Sequence, residues 1–588
     1  MNMKKLLAVL SAVLMVVSLF AACAPAATQE ETTTTETATE APTEAPAETA
    51  SVDTTTLRVN LASEPENLDP ALNTTVDGCC LALLQFGGLY SDSEDGMVPN
   101  FADGMPTISE DGMTYTVKVK DGLKWSDGSD LTANDFVYAW KRAAGTETAA
   151  EYSYMFSAID GYPDNLNVTV DGNTITIVLG APCAYFLDLL AFPTYFPVKQ
   201  SAVEGAEGYK DATGAIVAPN AWCREAGFVS SGAFTLTEWN HDSSMVFTKN
   251  PYYWNAENVS LEKIEFMLSA DDVAIYAAYN AGDLDFIDTV PTDEIANLKD
   301  SSEFHVIDNL GTYYICFNVN SKLFSSMPAD QASALRRAIA SAIDRQYIID
   351  TVAQTEQKVA TSWVGYGVKD GNGGLFKDAA AWSYPNGTDG YFNDADSAAA
   401  LQILQDAGFE VENGKLKNEI TVEYLINEST GHQGIAECVQ QDLAVIGINI
   451  TIHTVDWATF VNERQAGNFD VCRHGWLCDF NDPINMLELF GSASGNNDAQ
   501  LGKVSSSTGK SAVDWSAYDE LITQIKTTTD MAQRVTLMHQ AEDMLMATGA
   551  VCPIYYYNDL FMQKPNVSGI YSNPYGFKFF QYATKTAE

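Results

Sequence analysis

The first half of the chain contains short stretches in which hydrophobic and polar residues alternate, the pattern of a β-strand with one buried face. Turn residues such as DGN separate some of them, as in hairpins. Strands are predicted at 57–62, 113–120 and 263–267, and hairpins at 168–179 and 231–254. A helix is expected after 130, because Thr132 or Asn134 can accept hydrogen bonds from the free amides of its first turn.

The second half changes to helical spacing, with apolar residues three or four positions apart. Leu335, Ile339 and Ile343 lie on one face of a helix, and residues 395–407 predict another, with Asp394 or Asp396 at its start and Gly408 at its end. A further apolar stripe is formed by Ile435, Val439, Leu443 and Ile446. It leads into an alternating strand at 448–452, and a helix at 457–464 follows. This succession of helices and strands predicts an α/β lobe with a largely parallel sheet.

Residues 468–483, NFDVCRHGWLCDFNDP, predict a buried strand that runs into an acidic loop. Two more helices and a tyrosine-rich strand, VCPIYYY at 551–557, complete the pattern. The stretch 468–483 is unusual because Arg473, His474 and Trp476 lie close together in a chain with 32 Lys and Arg against 78 Asp and Glu. We interpret it as one wall of a binding site for a zwitterionic ligand.

The first 23 residues have the layout of an export signal. Lys4 and Lys5 precede an apolar run at 6–20, which is too short to cross a bilayer. LFAAC is similar to a bacterial lipobox, which implies that 1–22 is a lipoprotein signal peptide and that Cys23 is lipidated. An ordinary cleaved signal peptide is the alternative. Residues 23–55, rich in Ala, Thr, Glu and Pro, predict a disordered acidic tether.

Composition excludes several functions. A net charge of −46 argues against nucleic-acid binding, which depends on basic residues that neutralise phosphates. The nine cysteines other than Cys23 include no C-x-x-C spacing, which weakens zinc and thioredoxin-like interpretations, and most are expected to be small buried residues. No H-E-x-x-H or G-x-S-x-G motif occurs, and TGKS lacks the first glycine of a P-loop because position 504 is Val. We therefore predict no cofactor, no metal and no enzyme activity, although a catalytic pair of carboxylates remains open.

Five segments, in this order, resemble the oligopeptide- and dipeptide-binding proteins of ABC importers, which form family 5 of the extracellular solute-binding proteins. They are WSDGSDLTANDFVYAW (125–140), SGAFTLTEWNHDSSMVFTKNPYYW (231–254), TYYICFNVN (312–320) with the following ALRRAIASAIDRQYII, YDEL (518–521), and PIYYY (553–557). The resemblance extends from about residue 57 to the C-terminus.

The resemblance implies an α/β, two-lobed periplasmic-binding-protein-like fold (type II) with a hinged cleft. Lobe I would comprise 56–90, 196–315 and 556–588, with an inserted subdomain at 91–195, and lobe II would comprise 316–555. It implies a monomer held outside the cytoplasmic membrane by a lipid at Cys23, which captures short peptides and delivers them to an ABC importer permease. Nickel, haem or an oligosaccharide as the solute, or peptide-signal sensing, are alternatives.

The resemblance also implies roles for residues around 468–483. Asp479 would hold the peptide ammonium, although an Asp in a loop often only stabilises a turn. Arg464 and Arg473 would surround the peptide carboxylate, with surface ion pairs as the alternative. His432 would lie at the same ligand end unless it only caps a helix.

Gly475 and Trp476 would line the cleft, with Trp476 alternatively part of the core, and Tyr152 would help to hold the ligand's N-terminus. Two departures concern the contacts that set the preferred peptide length. GWLCDFNDP replaces the relatives' commoner G-W-C-A-D-Y-N-E-P, and Cys316 stands where relatives can carry a glutamate.

Overall fold

The computed structural model describes residues 53–587 except 62, 379–381, 386–389, 393, 506–508 and 510. Cys23, the signal segment and most of the predicted tether therefore lie outside the described residues. The longer helices are α1 Val76–Gln85, α2 Ala133–Ala144, α5 Asp272–Ala281, α8 Ala329–Ala342, α10 Ser397–Asp406, α11 Thr430–Val445, α12 Trp457–Ala466, α14 Ser516–Thr527 and α15 Met531–Ala547. The shorter ones are α3 Phe186–Leu189, α4 Gln200–Glu204, α6 Thr292–Leu298, α7 Lys322–Ser325, α9 Arg345–Ile348 and α13 Pro483–Glu488.

The strands of the largest sheet are β1 Thr56–Asn60, β8 Phe234–Asn240, β9 Ser244–Lys249, β10 Lys263–Met267, β11 Phe286–Ile287, β12 Phe304–Phe317, β13 Lys358–Val359, β16 Ile420–Asn427, β17 Ile448–Val455, β18 Val471–Leu477 and β19 Val551–Gln563. A separate sheet contains β4 Thr107–Ile108, β5 Thr114–Lys118, β6 Val168–Asp171 and β7 Thr174–Val178. Short pairs are formed by β2 Tyr90–Ser91, β3 Val98–Pro99, β14 Val411–Glu412, β15 Lys415–Leu416, β20 Val567–Ser568, β21 Tyr571–Ser572, β22 Lys578–Phe579 and β23 Thr584–Lys585.

The predicted helices begin where side chains can satisfy their first amides. Thr132 and Asp135 form a reciprocal capping box at α2, and Asp396 accepts a hydrogen bond from the Ala399 amide at α10. Ser429 caps α11 by accepting from the His432 amide. The apolar stripes of α8 and α11 are buried in one hydrophobic cluster on the same sheet, which confirms the helical spacing found in the sequence.

The prediction of a largely parallel sheet in the second half of the chain is confirmed for β16, β17 and β18 and is wrong for β12 and β19. The sheet order is β17-β16-β18-β12-β19-β11-β1-β10-β9-β8, and β16 does pair in parallel with β17 and β18. However, β12 pairs antiparallel with both β18 and β19, and β9 pairs antiparallel with β8 and β10. The helix–strand succession contains no information on β12 and β19, because their pairing joins segments more than 200 residues apart.

Strands β12 and β19 connect the two halves of this sheet. The end of β12 pairs with β18 on one side, while the end of β19 pairs with β11 on the other. One hydrophobic cluster packs α8, α10 and α11 against β16, β17 and the ends of β12 and β19. A second, larger cluster contains α1, α2 and the separate sheet, and extends to Trp476 and Phe480. Trp476 and Phe480 therefore pack into the same cluster as α1, α2 and the separate sheet.

The nine cysteines in the described part of the chain are all buried and none forms a disulfide, as expected for small apolar residues. Among the helices of that part, none is long and apolar enough to cross a membrane.

Candidate functional site

Strand β18 has one paired edge and one largely open edge. It pairs with β12 along its whole length, from Val471 to Leu477. On the other side β16 reaches only Val471 and Cys472, so within the described ranges no strand pairs there with 473–477. The Cys478 amide donates to the Leu310 carbonyl oxygen of β12 at 2.7 Å. Successive residues of a strand direct their backbone N–H and C=O groups to opposite edges, so those of Gly475 and Leu477 point to the open edge.

Asp479 follows β18 directly and is 9% exposed. One carboxylate oxygen accepts from Nδ2 of Asn485 at 2.8 Å, and the other accepts from the Tyr152 hydroxyl at 3.3 Å. Burial raises the pKa of Asp479 to about 7, against 3.8 for an ordinary Asp. No Lys, Arg or His of the described residues forms an ion pair with it. A buried carboxylate without a counter-charge is costly, so this position is suited to an external cation.

Two aromatic side chains, Tyr152 and Trp476, lie at the Asp479 end of the site. Tyr152 lies in a short 3-10 helix at Glu151–Ala158, and its ring centre is 6.1 Å from that of Trp476. The Trp476 indole donates to Oδ1 of Asn485 at 3.0 Å, and the Asp479 amide donates to the same oxygen at 3.0 Å. Asn485 therefore fixes both the tryptophan and the carboxylate.

Arg473 is the opposite case, a buried cation. It is 8% exposed, its Nε donates to Oδ1 of Asn427 at 2.6 Å, and its guanidinium lies 4.7 Å from the ring centre of Phe460 and 5.2 Å from that of Trp457. Burial lowers the pKa of Arg473. No carboxylate in the described part of the chain forms an ion pair with this arginine. The position is suited to an external anion.

His432 lies beside Arg473 at the start of α11 and is half-buried. Its Nδ1 is 3.3 Å from the Tyr313 hydroxyl. Burial and the nearby Arg473 hold the pKa of His432 well below its ordinary value, so the imidazole is neutral near pH 7. A neutral imidazole can donate a hydrogen bond to a ligand without adding charge.

Arg464 differs from Arg473 because it has an internal partner. Its Nε lies 2.9 Å from Oδ2 of Asp498, and Nε2 of His474 lies 2.8 Å from the same oxygen. Burial opposes the charge of Arg464, but Asp498 raises its pKa. Burial likewise acts against ionised Asp498, while Arg464 and His474 lower its pKa.

Gly475 lies between the two ends of the site. Its amide donates to Nδ1 of His474 at 2.8 Å. A Cβ at this position would lie 2.1 Å from the Tyr557 hydroxyl oxygen. Only glycine allows Tyr557 to lie this close to the strand.

The structure thus divides the predicted residues into groups. Tyr152, Trp476 and Asp479 come together at the end of β18, and His432 and Arg473 come together near its start. Six residues of extended chain span at most about 20 Å, which limits the separation of the two ends. Arg464 belongs to the Asp498 cluster.

The sequence did not single out Asn427 and Asn485, since isolated asparagines are common in loops. Trp457 and Phe460 were also overlooked, although their spacing with Arg464 places them on one face of a helix. Within the ranges that the structure describes, no group of three or more His, Cys, Asp or Glu side chains is arranged to hold a metal ion.

Comparisons with known proteins agree with this architecture. Residues 96–498 match the family model described as bacterial extracellular solute-binding proteins, family 5 middle region. The chain is 30% identical over 557 residues to the oligopeptide-binding protein OppA of Bacillus subtilis, which covers 90% of this chain and 92% of the relative.

Two solved structures have the same fold. The murein tripeptide-binding protein MppA of Escherichia coli aligns with a TM-score of 0.78 and 25% identity, covering 91% of this chain and 99% of that one. Listeria monocytogenes OppA bound to peptide aligns with a TM-score of 0.74 and 25% identity, covering 91% and 100%. The family model spans well over half of the chain, and this chain therefore belongs to the bacterial extracellular solute-binding proteins of family 5.

Proposed function

We propose that this protein captures short peptides outside the cytoplasmic membrane and delivers them to the permease of an ABC importer. One observation carries the proposal. Asp479 and Arg473 are buried, oppositely charged and without internal counter-charges among the described residues, and the open edge of β18 lies between them. A peptide with free termini supplies an ammonium, a carboxylate and an extended backbone, which are the three things that this arrangement lacks.

In this proposal the peptide ammonium binds Asp479 and is surrounded by Tyr152 and Trp476. The Tyr152 hydroxyl and the Asn485 amide hold the carboxylate in place from the protein side. The ammonium replaces the lost hydration of the carboxylate, so the free energy gained is greater than for an ion pair in water.

The peptide carboxylate would bind Arg473, with His432 as a neutral donor beside it. A planar guanidinium can donate two parallel hydrogen bonds to a carboxylate. Backbone groups of the peptide would pair with the open edge of β18 at Leu477, because the Gly475 amide already donates to His474. Such pairing gives affinity without dependence on side chains. Arg464 already pairs with Asp498, so in this proposal Arg473 and not Arg464 contacts the ligand carboxylate.

The names of the relatives support a peptide as the solute. The Bacillus subtilis relative is an oligopeptide-binding protein, and the Listeria monocytogenes structure contains a bound peptide. The family consists of solute-binding proteins rather than enzymes, and on the same ground we propose binding without catalysis.

The proposed lobes are those implied by the sequence: 56–90, 196–315 and 556–588 for lobe I, 91–195 for its insert, and 316–555 for lobe II. Both crossings between the lobes would then lie within β12 and β19, which pair directly with each other. Two adjacent strands at the crossings are compatible with a hinge that closes the cleft on a ligand. Lipidation of Cys23 would hold the body at the membrane through the acidic tether, near its permease.

Native mass spectrometry of the purified protein, followed by calorimetry with alanine peptides of about three to five residues, tests the solute class. Bound masses that form a peptide ladder, and affinity that is lost when the peptide is N-acetylated, would support the proposal. Nickel, haem or an oligosaccharide in the spectrum, or affinity that does not depend on the ammonium, would contradict it. Analysis of the peptides after incubation checks for cleavage, which would indicate a hydrolase.

A further inference from the structure

The two buried arginines near β18 have different partners. Arg464 contacts the carboxylate of Asp498, whereas the one side-chain hydrogen bond of Arg473 to the described residues goes to a neutral amide, that of Asn427. Asn427 is the last residue of β16 and is 8% exposed. Its Nδ2 donates to the Glu428 carbonyl oxygen at 3.3 Å, which turns its Oδ1 toward Arg473. The amide orientation is therefore determined by the chain itself.

The hydrogen bond to Asn427 uses one guanidinium nitrogen of Arg473, and the other two remain available to a ligand. Oδ1 of Asn427 accepts from Nε, and neither terminal guanidinium nitrogen has a hydrogen bond to the described residues. Neither of them is among the fully enclosed polar atoms that lack a partner. Phe460 and Trp457 pack beside the guanidinium, and no carboxylate of the described residues forms an ion pair with it. The two terminal nitrogens can each donate one N–H to a carboxylate in a bidentate contact.

We propose that Asn427 is a positioning residue that orients Arg473 for a ligand carboxylate while leaving its charge uncompensated, and thereby makes the protein selective for ligands with a free carboxyl terminus. An aspartate at 427 would be nearly identical in shape but would supply an internal counter-charge, as Asp498 does for Arg464. This inference rests on the proposed function, because it assumes that Arg473 faces the ligand.

The test compares alanine peptides of about three to five residues as free acids and as C-terminal amides, by calorimetry, on the full-length protein. The selectivity is the Kd of the amide divided by that of the acid. For the unaltered protein we expect a ratio of about 30 or more, the effect of removing one partner of a buried charge pair. Asn427→Asp should reduce this ratio at least about tenfold while the Kd of the amide changes little. Asn427→Gln, which keeps a neutral acceptor, should retain selectivity.

Asn427→Leu provides a second variant of similar size in case the aspartate variant does not fold, and circular dichroism checks each protein. Without an acceptor for Nε the guanidinium is no longer held, so the ratio should again fall. An unchanged ratio in the folded Asp or Leu variant would overturn the inference, and so would equal losses for acid and amide. If the unaltered protein binds neither peptide, the proposed function itself fails, which is a different outcome.

Discussion

Replacing Asp479 by Asn separates ligand binding from stability, because the two should change in opposite directions. Asn has the shape of Asp and can still bond Asn485 and Tyr152, but it carries no charge. If Asp479 holds the peptide ammonium, the substitution removes one partner of a buried charge pair. The expected loss is about 2–5 kcal/mol, or about 30-fold to a few thousand-fold in Kd.

The ligand-free protein should become more stable. The folded-state pKa of Asp479 is about 7, above the 3.8 of an ordinary Asp, so the folded protein binds the proton more tightly than the unfolded chain. The stability conferred by this proton is present below about pH 4 and is lost as the pH rises to about 7. A pKa difference of this size corresponds to about 4 kcal/mol in the free energy of unfolding. This is the upper limit to the stability that Asp479→Asn can add above pH 7. Near pH 4 the variant should have no such advantage.

Calorimetry with a free peptide and its N-acetylated form measures the change in Kd, and thermal unfolding at pH 4 and pH 8 measures the change in stability. The N-acetylated peptide should bind the two proteins with similar affinity, since it has no ammonium. A variant that binds the free peptide as well as the unaltered protein does would refute the assignment of Asp479. A lower Tm at pH 8 would refute the claim that its charge is uncompensated.

Three further outcomes follow from the same contacts. Arg473→Met should weaken the binding of free-acid peptides but not of their amides. Arg464→Met should instead lower the free energy of unfolding by about 3–5 kcal/mol, because it leaves the buried carboxylate of Asp498 without its partner. Calorimetry and chemical denaturation of both variants distinguish the two effects, and the reverse pattern would exchange the roles of the two arginines. Affinity for peptides with a free ammonium should fall about tenfold per pH unit below pH 7, as Asp479 takes up a proton, and N-acetylated peptides should show no such slope. Gly475→Ala should lower the Tm by placing Cβ against the Tyr557 hydroxyl. Adding Tyr557→Phe to the same chain should recover part of the lost Tm. If it recovers nothing, the steric clash of the added Cβ is not with the Tyr557 hydroxyl.

Local pattern determined most of the individual elements. Alternation predicts β5 and the hairpin of β6 and β7. A capping side chain predicts α2 and α10, and apolar spacing predicts α11. These properties depend on neighbours within one or two turns of chain, so the sequence alone contains them. The stretch 468–483 also behaves as predicted, with a buried strand at Val471–Leu477 and an acidic loop after it.

Partners at a distance were decided only by the tertiary structure. Both Arg464 and Arg473 were candidates for a ligand carboxylate, and nothing local distinguishes them. The fold brings Asp498 to the first and the neutral Asn427 to the second, and it brings Tyr152 to Asp479 from 327 residues away. The antiparallel course of β12 and β19 was hidden for the same reason. A sequence specifies which side chains carry charge, but whether a buried charge is compensated depends on which distant segments the packed chain places beside it.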